Sequence, residues 1–198
     1  MRVSLRPIIV AAAAVLAAPA VTLPARAQSR HSTTVAERPL RPDLSRIRID
    51  NFGCINPSYY RGAQPRGHDY ADLAGIGVRT LIDLTSEDVR PDEKVMAERS
   101  GMTYVRIPMT THTPPTDEVL DAFLRIVTDP SRQPVFVHCV GGRHRTGVMT
   151  AVYRMFHDGW NADQAYQEMR HYKFGADFLH REFKELVYRY QPALAGTR

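Results

Sequence analysis

Short apolar runs alternate with amphipathic stretches along most of this chain. The runs over 78–84, 102–108 and 133–139 have the length and the β-branched and aromatic content that are typical of buried strands. Between the last two runs, residues 117–129 place apolar side chains on one face at helical spacing. Strands that alternate with helices predict an α/β fold, in which a central, mostly parallel sheet is flanked by helices. The run that ends at residue 139 is continuous rather than alternating, so we expect it to form the central strand.

The rest of the pattern predicts further short elements and one irregular loop. Strands are expected over 46–55 and 58–65, and helices over 69–77, 90–101, 146–159, 161–172 and 176–191. Residues 108–115, PMTTHTPP, have no period and contain two consecutive prolines. We therefore expect this stretch to be a loop between a strand and a helix.

The N-terminal residues have the layout of a secretory leader. Two arginines precede an apolar run over 8–23, and the small-x-small sequence Ala-Arg-Ala follows at 25–27. Residues 1–27 are thus expected to be a signal peptide that is cleaved near Ala27, which predicts an exported protein, periplasmic or secreted. The alternative is a membrane anchor, but two prolines interrupt the run and it is short for a span. No membrane span is expected after cleavage.

Composition after the leader is that of one nearly neutral domain. Residues 28–46 are polar and contain proline, so they are expected to be a flexible segment ahead of a single domain over 47–198. The formal net charge is +5, but three of the 26 basic residues lie in the leader, which leaves 23 against 21 acidic residues. This near-balance, together with the lack of a recognition motif, argues against a nucleic-acid partner.

Cys139 stands where the predicted central strand ends, and glycines and positive charges follow it at once. Five residues, Val140–His144, separate Cys139 from Arg145, and they can curl into a cup whose backbone N–H groups point inward. A helix expected to begin near Thr146 directs its positive dipole end at the same cup. Such a cup binds a tetrahedral oxyanion, and an arginine can bind two of its oxygens. The predicted substrate-binding residues are Val140, Gly141, Gly142, Arg143, His144 and Arg145.

The positive surroundings of Cys139 favour its thiolate form. Helix N-termini and neighbouring cations lower the pKa of a cysteine. A thiolate below a bound phosphate can attack phosphorus and form a covalent phosphocysteine. Thr146 is expected to donate a hydrogen bond to the sulfur and ease its departure in the second step. His138 is expected to orient the loop through backbone hydrogen bonds.

The motif His138-Cys139, five residues, Arg145-Thr146 resembles the signature of protein-tyrosine and dual-specificity phosphatases. The stretches NFGCINPSYYRGAQP, GVRTLIDL, YVRIPM and VFVHCVGGRHRTG follow one another in the order seen in compact atypical dual-specificity phosphatases of bacteria, plants and fungi. The similarity extends over roughly residues 49–160. It implies the cysteine-phosphatase fold, hydrolysis of phosphotyrosine or dual-specificity protein substrates through a phosphocysteine, and no metal or cofactor.

The general acid is the point at which the sequence departs from this family. The family usually carries an aspartate on a mobile loop ahead of the cysteine, whereas Thr110 and Thr111 stand there in this chain. His112 of the same loop can donate a proton and is the first candidate, the alternative being an exposed loop histidine without a role. Asp83, at the end of a predicted strand, is the alternative acid, and Asp88 on the loop after it is another.

The substrate is left open between a phosphorylated protein and a small anionic phosphate. Arg143 and His144 add charge to the cup, and some atypical relatives with a basic loop act on inositol pyrophosphates. The alternatives are therefore a phosphatase of an inositol (pyro)phosphate or phosphoinositide, and a catalytically weak phosphate-binding module. Sulfur transfer or oxyanion reduction ranks last. Arg61 and Gln64 are expected to line the mouth of the site, unless Arg61 is a structural ion-pair partner.

Cys54 is the second of the two cysteines in the chain. In an exported protein the two cysteines can form a structural disulfide. A further alternative is a reversible disulfide that forms after oxidation of Cys139, because exposed cysteines of low pKa are the most readily oxidised.

Overall fold

The computed structural model of this protein describes residues 42–87, 90–176 and 179–192. The predicted leader, most of the predicted flexible segment and the candidate acid Asp88 lie outside the described residues. Ordered structure is already present before residue 47, where the domain was expected to begin. Asp43 accepts a hydrogen bond from the backbone N–H of Ser45 at 3.0 Å and caps a single 3-10 turn over Leu44–Arg46.

The described residues contain a five-stranded, mostly parallel sheet, which confirms the predicted fold class. Its order is β1-β2-β5-β3-β4, with β1 antiparallel to β2 and the other neighbours parallel. The strands are β1 Gly53–Asn56, β2 Tyr59–Ala63, β3 Thr80–Thr85, β4 Thr103–Met109 and β5 Val135–Cys139. As predicted, β5 is the central strand, and each of its residues is buried.

Helices cover both faces of the sheet. They are α1 Asp69–Gly75, α2 Glu93–Arg99, α3 Asp117–Val127, α4 His144–His157, α5 Ala162–His171 and α6 Arg181–Arg189. One apolar cluster joins the sheet to α1 and α2, and a larger one joins it to α3, α4, α5 and α6. Successive residues of β5 alternate between the clusters, since Val135 and Val137 belong to the larger one and Phe136 to the smaller. In the described part of the chain, every helix is too short or too polar to span a bilayer.

The predicted strand over 46–55 is mostly wrong, because only its last three residues enter β1. Ile47 and Ile49 are buried, as the alternating pattern suggested, but they pack against the smaller cluster without pairing as a strand. Asn51 then turns the chain with a positive φ of 55°. The alternation of apolar residues therefore predicted correctly which side chains are buried, but the strand that it predicted before residue 53 does not form.

Candidate active site

Cys139 lies at the base of a cavity formed where β5 ends and α4 begins. Its side chain is 4% exposed, and the cavity has a volume of about 280 Å³. Helix α4 begins at His144, two residues earlier than predicted, so Arg145 lies in its first turn. The structure thus brings together most of the predicted cup residues. The cavity is lined by Thr111, Cys139, Val140, Gly141, Arg143, His144 and Arg145.

The cup packs closely against the neighbouring strand β2 at Gly142. Gly142 has a φ of +63°, and a Cβ atom at this position would collide with the backbone of Gly62. The carbonyl oxygen of Gly142 accepts hydrogen bonds from the guanidinium of Arg61 and from Nδ2 of Asn51, the latter at 2.8 Å. Only glycine satisfies both the left-handed backbone and this close approach.

The pKa of the Cys139 thiol is lowered by its surroundings. Burial alone would raise this pKa, but hydrogen bonds from the side chain and backbone N–H of Thr146 outweigh it. The charge of Arg145 and the backbone N–H of Arg143 act in the same direction. Thr146 Oγ1 is buried and has no hydrogen-bond partner of ordinary geometry among the described residues, so its hydroxyl proton is free to turn towards the sulfur.

Arg145 is a buried cation with an unused donor. Its side chain is 3% exposed, and its Nη1 donates to the carbonyl oxygen of Met109 at 3.0 Å and to Oε2 of Glu87 at 3.1 Å. Its Nε is buried without a partner among the described residues. An unpaired guanidinium N–H is costly to bury, and a bound oxyanion would satisfy it.

Arg61 and Gln64 do not line the mouth of the site, contrary to the prediction. Arg61 is fully buried below the cup, with its guanidinium 4.1 Å from the centre of the Tyr172 ring. Burial lowers the pKa of Arg61. Gln64 is 8% exposed and donates to Oε2 of Glu93 at 2.7 Å. The side chain of Arg61 supports the cup from within the fold, whereas that of Gln64 is hydrogen-bonded to Glu93.

Asp83 is not available as a general acid, which corrects the second candidate for that role. Strand β3 continues to Thr85, so Asp83 lies inside the sheet layer and is fully buried. Its carboxylate accepts hydrogen bonds from Thr85 N–H at 2.7 Å, from Thr85 Oγ1 at 3.1 Å and from the hydroxyl of Tyr104 at 2.7 Å. A carboxylate held by these donors is structural and does not face the cavity.

The ring of His138 makes no hydrogen bond to the described backbone, which corrects the predicted contact. Its Nε2 lies 3.2 Å from Oε1 of Glu93, and both side chains are fully buried. Asp83, Glu93 and His138 place one ligand-type atom each within 4.8 Å of one another. The carboxylates of Glu93 and Asp83 already accept hydrogen bonds from Gln64 and Tyr104, while both ring nitrogens of His138 are buried without a hydrogen-bond partner among the described residues.

His112 lies in the loop beside the cavity, exposed and next to the lining residue Thr111. Oγ1 of Thr110 accepts a hydrogen bond from the N–H of Thr113 at 3.0 Å, which gives the loop a defined turn. His180, just before α6, donates from Nδ1 to the carbonyl oxygen of Thr111 at 3.0 Å. The loop is therefore hydrogen-bonded to the residue that immediately precedes α6.

Three imidazole rings connect this loop to the cup. The centre of the His180 ring lies 3.7 Å from that of His144 and 6.0 Å from that of His112. Burial, and then the neighbouring His180, lowers the pKa of His144 to about 4. His144 is therefore neutral at physiological pH and presents an uncharged ring to the rest of the cluster.

The two cysteines are free and far apart, so the structure contradicts a Cys54–Cys139 disulfide. Cys54 is exposed on β1 and pairs with Tyr60 of β2, whereas Cys139 on β5 pairs with Ala63. The two are thus separated by two strand spacings, about 10 Å, across the sheet and by about 10 Å along it. A disulfide requires Cα atoms within about 7 Å.

Two residues of the site were missed by the sequence analysis. Glu87 contacts Arg145, although only its neighbour Asp88 was considered as an acid. His180 reaches the loop from 69 residues away in the chain. The acidic pair at the end of a predicted strand was a signal for Glu87, but nothing in the sequence indicated His180.

Comparison with known proteins agrees with this geometry. A sequence model of the family described as "DSP-PTPase phosphatase fused to NAD+ Kinase" matches residues 55–185. The dual specificity protein phosphatase TpbA of Pseudomonas aeruginosa is 29% identical over 127 residues, which are 63% of this chain and 56% of that protein. The chain therefore matches little more than half the length of this relative.

Solved structures share the fold. A crystal structure of TpbA in complex with pTyr superposes with a TM-score of 0.60 and 27% identity, covering 70% of this chain and 83% of that one. The core catalytic domain of the PP-IP phosphatase SIW14 of Saccharomyces cerevisiae superposes with a TM-score of 0.64 and 21% identity, covering 72% and 86%. The match to the family, together with the cysteine, the cup and the arginine at its base, shows that the chain belongs to the DSP-PTPase phosphatase family.

Proposed function

We propose that the protein hydrolyses phosphomonoesters through a covalent phosphocysteine intermediate. The observation that carries this proposal is the Cys139 thiol, whose pKa is lowered at the base of a cup that also contains an unpaired donor of Arg145. A module that only binds phosphate needs the cup and the arginine but does not need an activated sulfur. The sulfur therefore favours the enzyme over a binding module.

In the first step, the cup holds the phosphate with its backbone N–H groups and with the guanidinium of Arg145. The Cys139 thiolate attacks phosphorus, so that an S–P bond forms and the bond from phosphorus to the ester oxygen breaks. The leaving oxygen takes its bonding electron pair and receives a proton from the general acid. The buried positive groups stabilise the charge that builds up on the phosphoryl oxygens.

In the second step, water attacks the phosphocysteine. The water gives a proton to the general acid, which is now a base, and the S–P bond breaks to release inorganic phosphate and the thiolate. Thr146, whose side chain and backbone N–H lower the pKa of the sulfur, stabilises the departing thiolate. The site returns to its starting protonation state, and the reaction consumes one water.

We propose His112 as the general acid. It lies on the loop beside the cavity, next to Thr111, which lines it. The hydrogen bond from His180 to Thr111 holds the base of this loop beside the cavity. A loop that carries the acid commonly closes only on the bound substrate, so the exposed side chain seen without substrate is compatible with this role.

We propose aryl phosphates, and phosphotyrosine in a protein above all, as the preferred substrates. The first residue of the cup, Val140, is 36% exposed and gives the cavity mouth an apolar side that suits an aromatic ring. The carboxylate of Glu87 at the catalytic arginine disfavours substrates that carry many extra negative charges.

A second candidate is a small, highly anionic phosphate such as an inositol pyrophosphate. It is favoured by Arg143, which is exposed at the cavity wall, and by the likeness to SIW14. The test is phosphate release from a phosphotyrosine peptide, a phosphoserine peptide and an inositol pyrophosphate at equal concentrations. Faster release from the phosphotyrosine peptide supports the first candidate, and faster release from the pyrophosphate overturns it in favour of the second.

We further propose that the enzyme is exported. The support is the arrangement of residues 1–27, with two arginines, an apolar run and a small-x-small sequence before residue 28. The test is fractionation of expressing cells, followed by N-terminal sequencing of the product. A chain that begins at residue 28 in the exported fraction supports export, and an intact N-terminus in the cytosol contradicts it.

A further inference from the structure

The backbone of His180 begins helix α6, whereas its side chain takes no part in capping that helix. Its carbonyl oxygen accepts hydrogen bonds from the N–H groups of Phe183 at 3.2 Å and of Lys184 at 3.3 Å. Among the described residues, its imidazole makes no capping hydrogen bond to the helix. The first turn of α6 therefore fixes the backbone of His180, and the imidazole remains available for contacts with other segments.

The imidazole of His180 packs among rings that belong to the core and to the cup. Its centre lies 5.9 Å from that of Phe174 and 6.1 Å from that of Phe183, and both phenylalanines are buried. The ring of His144, a residue of the cup, lies 3.7 Å away. Because burial lowers the pKa of His144 to about 4, its ring is uncharged at neutral pH and can pack this closely against another imidazole. These contacts leave the His180 ring little freedom to rotate.

The hydrogen bond from Nδ1 of His180 holds the loop that carries the proposed acid. The carbonyl oxygen of Thr111 accepts it at 3.0 Å, and since a carbonyl only accepts, Nδ1 carries the proton. The chain is held a second time two residues earlier, where the carbonyl oxygen of Met109 accepts from Nη1 of Arg145 at 3.0 Å. The backbone that leads into His112 is thus bound at one point to the phosphate-binding arginine and at another to His180.

His180 therefore contacts both groups that the proposed chemistry has to align. Its ring is stacked on that of His112, with the centres 6.0 Å apart, and packs against that of His144 in the cup. His112 is exposed, so without such contacts its loop would be free to move away from the cavity. Proton transfer to a leaving group is sensitive to a misplacement of about 1 Å.

We propose that His180 is a positioning residue, which holds the loop of His112 at a fixed distance from the phosphate-binding cup. This inference rests on the proposed function, because the two groups that it aligns are the proposed acid and the cup. In the part of the chain that the structure describes, His180 is not among the residues that line the cavity. It acts through His112 and the cup, and it neither binds the phosphate nor transfers a proton.

The first test is amide hydrogen exchange of the peptide that contains residues 110–113, which requires no turnover. His180→Phe keeps an aromatic ring but removes the donor to Thr111. His180→Asn removes the ring but keeps an N–H donor, separated from the backbone by as many bonds as Nδ1. We expect exchange to be about fivefold faster in His180→Phe, and close to that of the unmodified protein in His180→Asn.

The second test measures kcat/KM for an alkyl phosphate and for a nitrophenyl phosphate. His180→Phe is expected to slow the alkyl phosphate by about fivefold and the nitrophenyl phosphate much less, because only the poor leaving group depends strongly on the acid. In a His112→Ala background the same substitution is expected to cause no further loss, since its contribution passes through His112. A purely structural role would lower the rates for both substrates equally.

The matched control is His68→Phe, which replaces a histidine that is 76% exposed and pairs with Asp72 on α1. It is expected to leave exchange and turnover unchanged. Equal exchange in His180→Phe and the unmodified protein would overturn the proposal. Equal losses for the two substrates, or a loss that persists in the His112→Ala background, would also overturn it. If the unmodified protein has no turnover, the proposed function fails, while the exchange comparison still decides whether His180 holds the loop.

Discussion

The guanidinium of Arg61 donates a hydrogen bond to the carbonyl oxygen of Gly142, directly below the cup that surrounds Cys139. Arg61 is fully buried, and its Nε and Nη1 have no hydrogen-bond partner among the described residues. Its charge is coupled to the Cys139 thiolate. A buried cation without a carboxylate partner normally destabilises a protein. Here it lies where it can both hold the cup and stabilise the nucleophile.

We therefore expect Arg61→Met to raise the pKa of Cys139 and to lower kcat/KM for an aryl phosphate by about tenfold. The measurement is the rate of alkylation of Cys139 by iodoacetamide as a function of pH, in a Cys54→Ser background so that only one thiol reacts. The control is Arg48→Met, which removes an exposed arginine. An alkylation midpoint that is the same in both variants would show that Arg61 does not act on the thiolate.

Gly142 is predicted to be irreplaceable, whereas its neighbour Gly141 is not. An alanine at 142 would require a positive φ and would collide with the backbone of Gly62, while an alanine at 141 would meet only the flexible side chain of Arg143 at 3.5 Å. We expect Gly142→Ala to lower the free energy of unfolding by about 2 kcal/mol or more, and Gly141→Ala to change it by less than about 1 kcal/mol. Urea titration measures both, and equal losses would contradict the backbone argument.

Loss of the His112 side chain is predicted to lower kcat/KM most for substrates with poor leaving groups. If His112 protonates the leaving oxygen, His112→Ala should slow an alkyl phosphate by about 100-fold and a nitrophenyl phosphate much less. The measurement is kcat/KM over a series of phosphates with leaving groups of increasing pKa. The dependence on leaving group should be steeper in the variant. If plots of log kcat/KM against the pKa of the leaving group have the same slope for the two proteins, another group supplies the proton.

The free energy of unfolding is predicted to fall in mild acid because of His144. The pKa of His144 is lowered to about 4 in the folded protein, from 6.5 when unperturbed, by burial and then by His180, with Arg143 and Arg145 also facing it. Between these values the unfolded chain binds a proton that the folded chain excludes. The free energy of unfolding should therefore fall as pH drops through this window. Partial exposure of the ring reduces the effect to about 1 kcal/mol.

The check on that prediction is chemical denaturation of the unmodified protein and of His144→Gln from about pH 7 down to about pH 4. The difference in stability between the two should change across the window, because only the histidine titrates. A constant difference would show that the histidine carries the same pKa in the folded and unfolded chains.

The parts of the site that were predicted correctly are local in sequence. The strand before Cys139, the glycines of the cup and the arginine in the following helix lie within one short stretch of the chain. The central position of β5 also followed from its continuous apolar run. Periodicity and spacing suffice for such features because they involve neighbouring residues.

The misassigned residues depend on contacts between distant segments. Asp83 was expected at the mouth, but β3 continues to Thr85, one residue past the predicted end. The hydroxyl of Tyr104 on β4 donates a hydrogen bond to the buried carboxylate of Asp83. Arg61 was expected either at the mouth or as a structural ion-pair partner, whereas its guanidinium is buried and donates to Gly142, 81 residues later. Strand ends and the burial of charged side chains are set by tertiary packing, which no local pattern reports.

The measurement that tests the account most directly is hydrolysis of an aryl phosphate by the purified protein and by Cys139→Ser, followed by acid quenching and mass spectrometry. We predict steady turnover by the unmodified protein, a phosphate adduct on the peptide that contains Cys139, and no turnover by the serine variant. Both proteins should bind tungstate, since the cup and Arg145 are unchanged. Turnover that survives the substitution, or an unmodified protein that binds tungstate without releasing phosphate, would contradict thiolate catalysis.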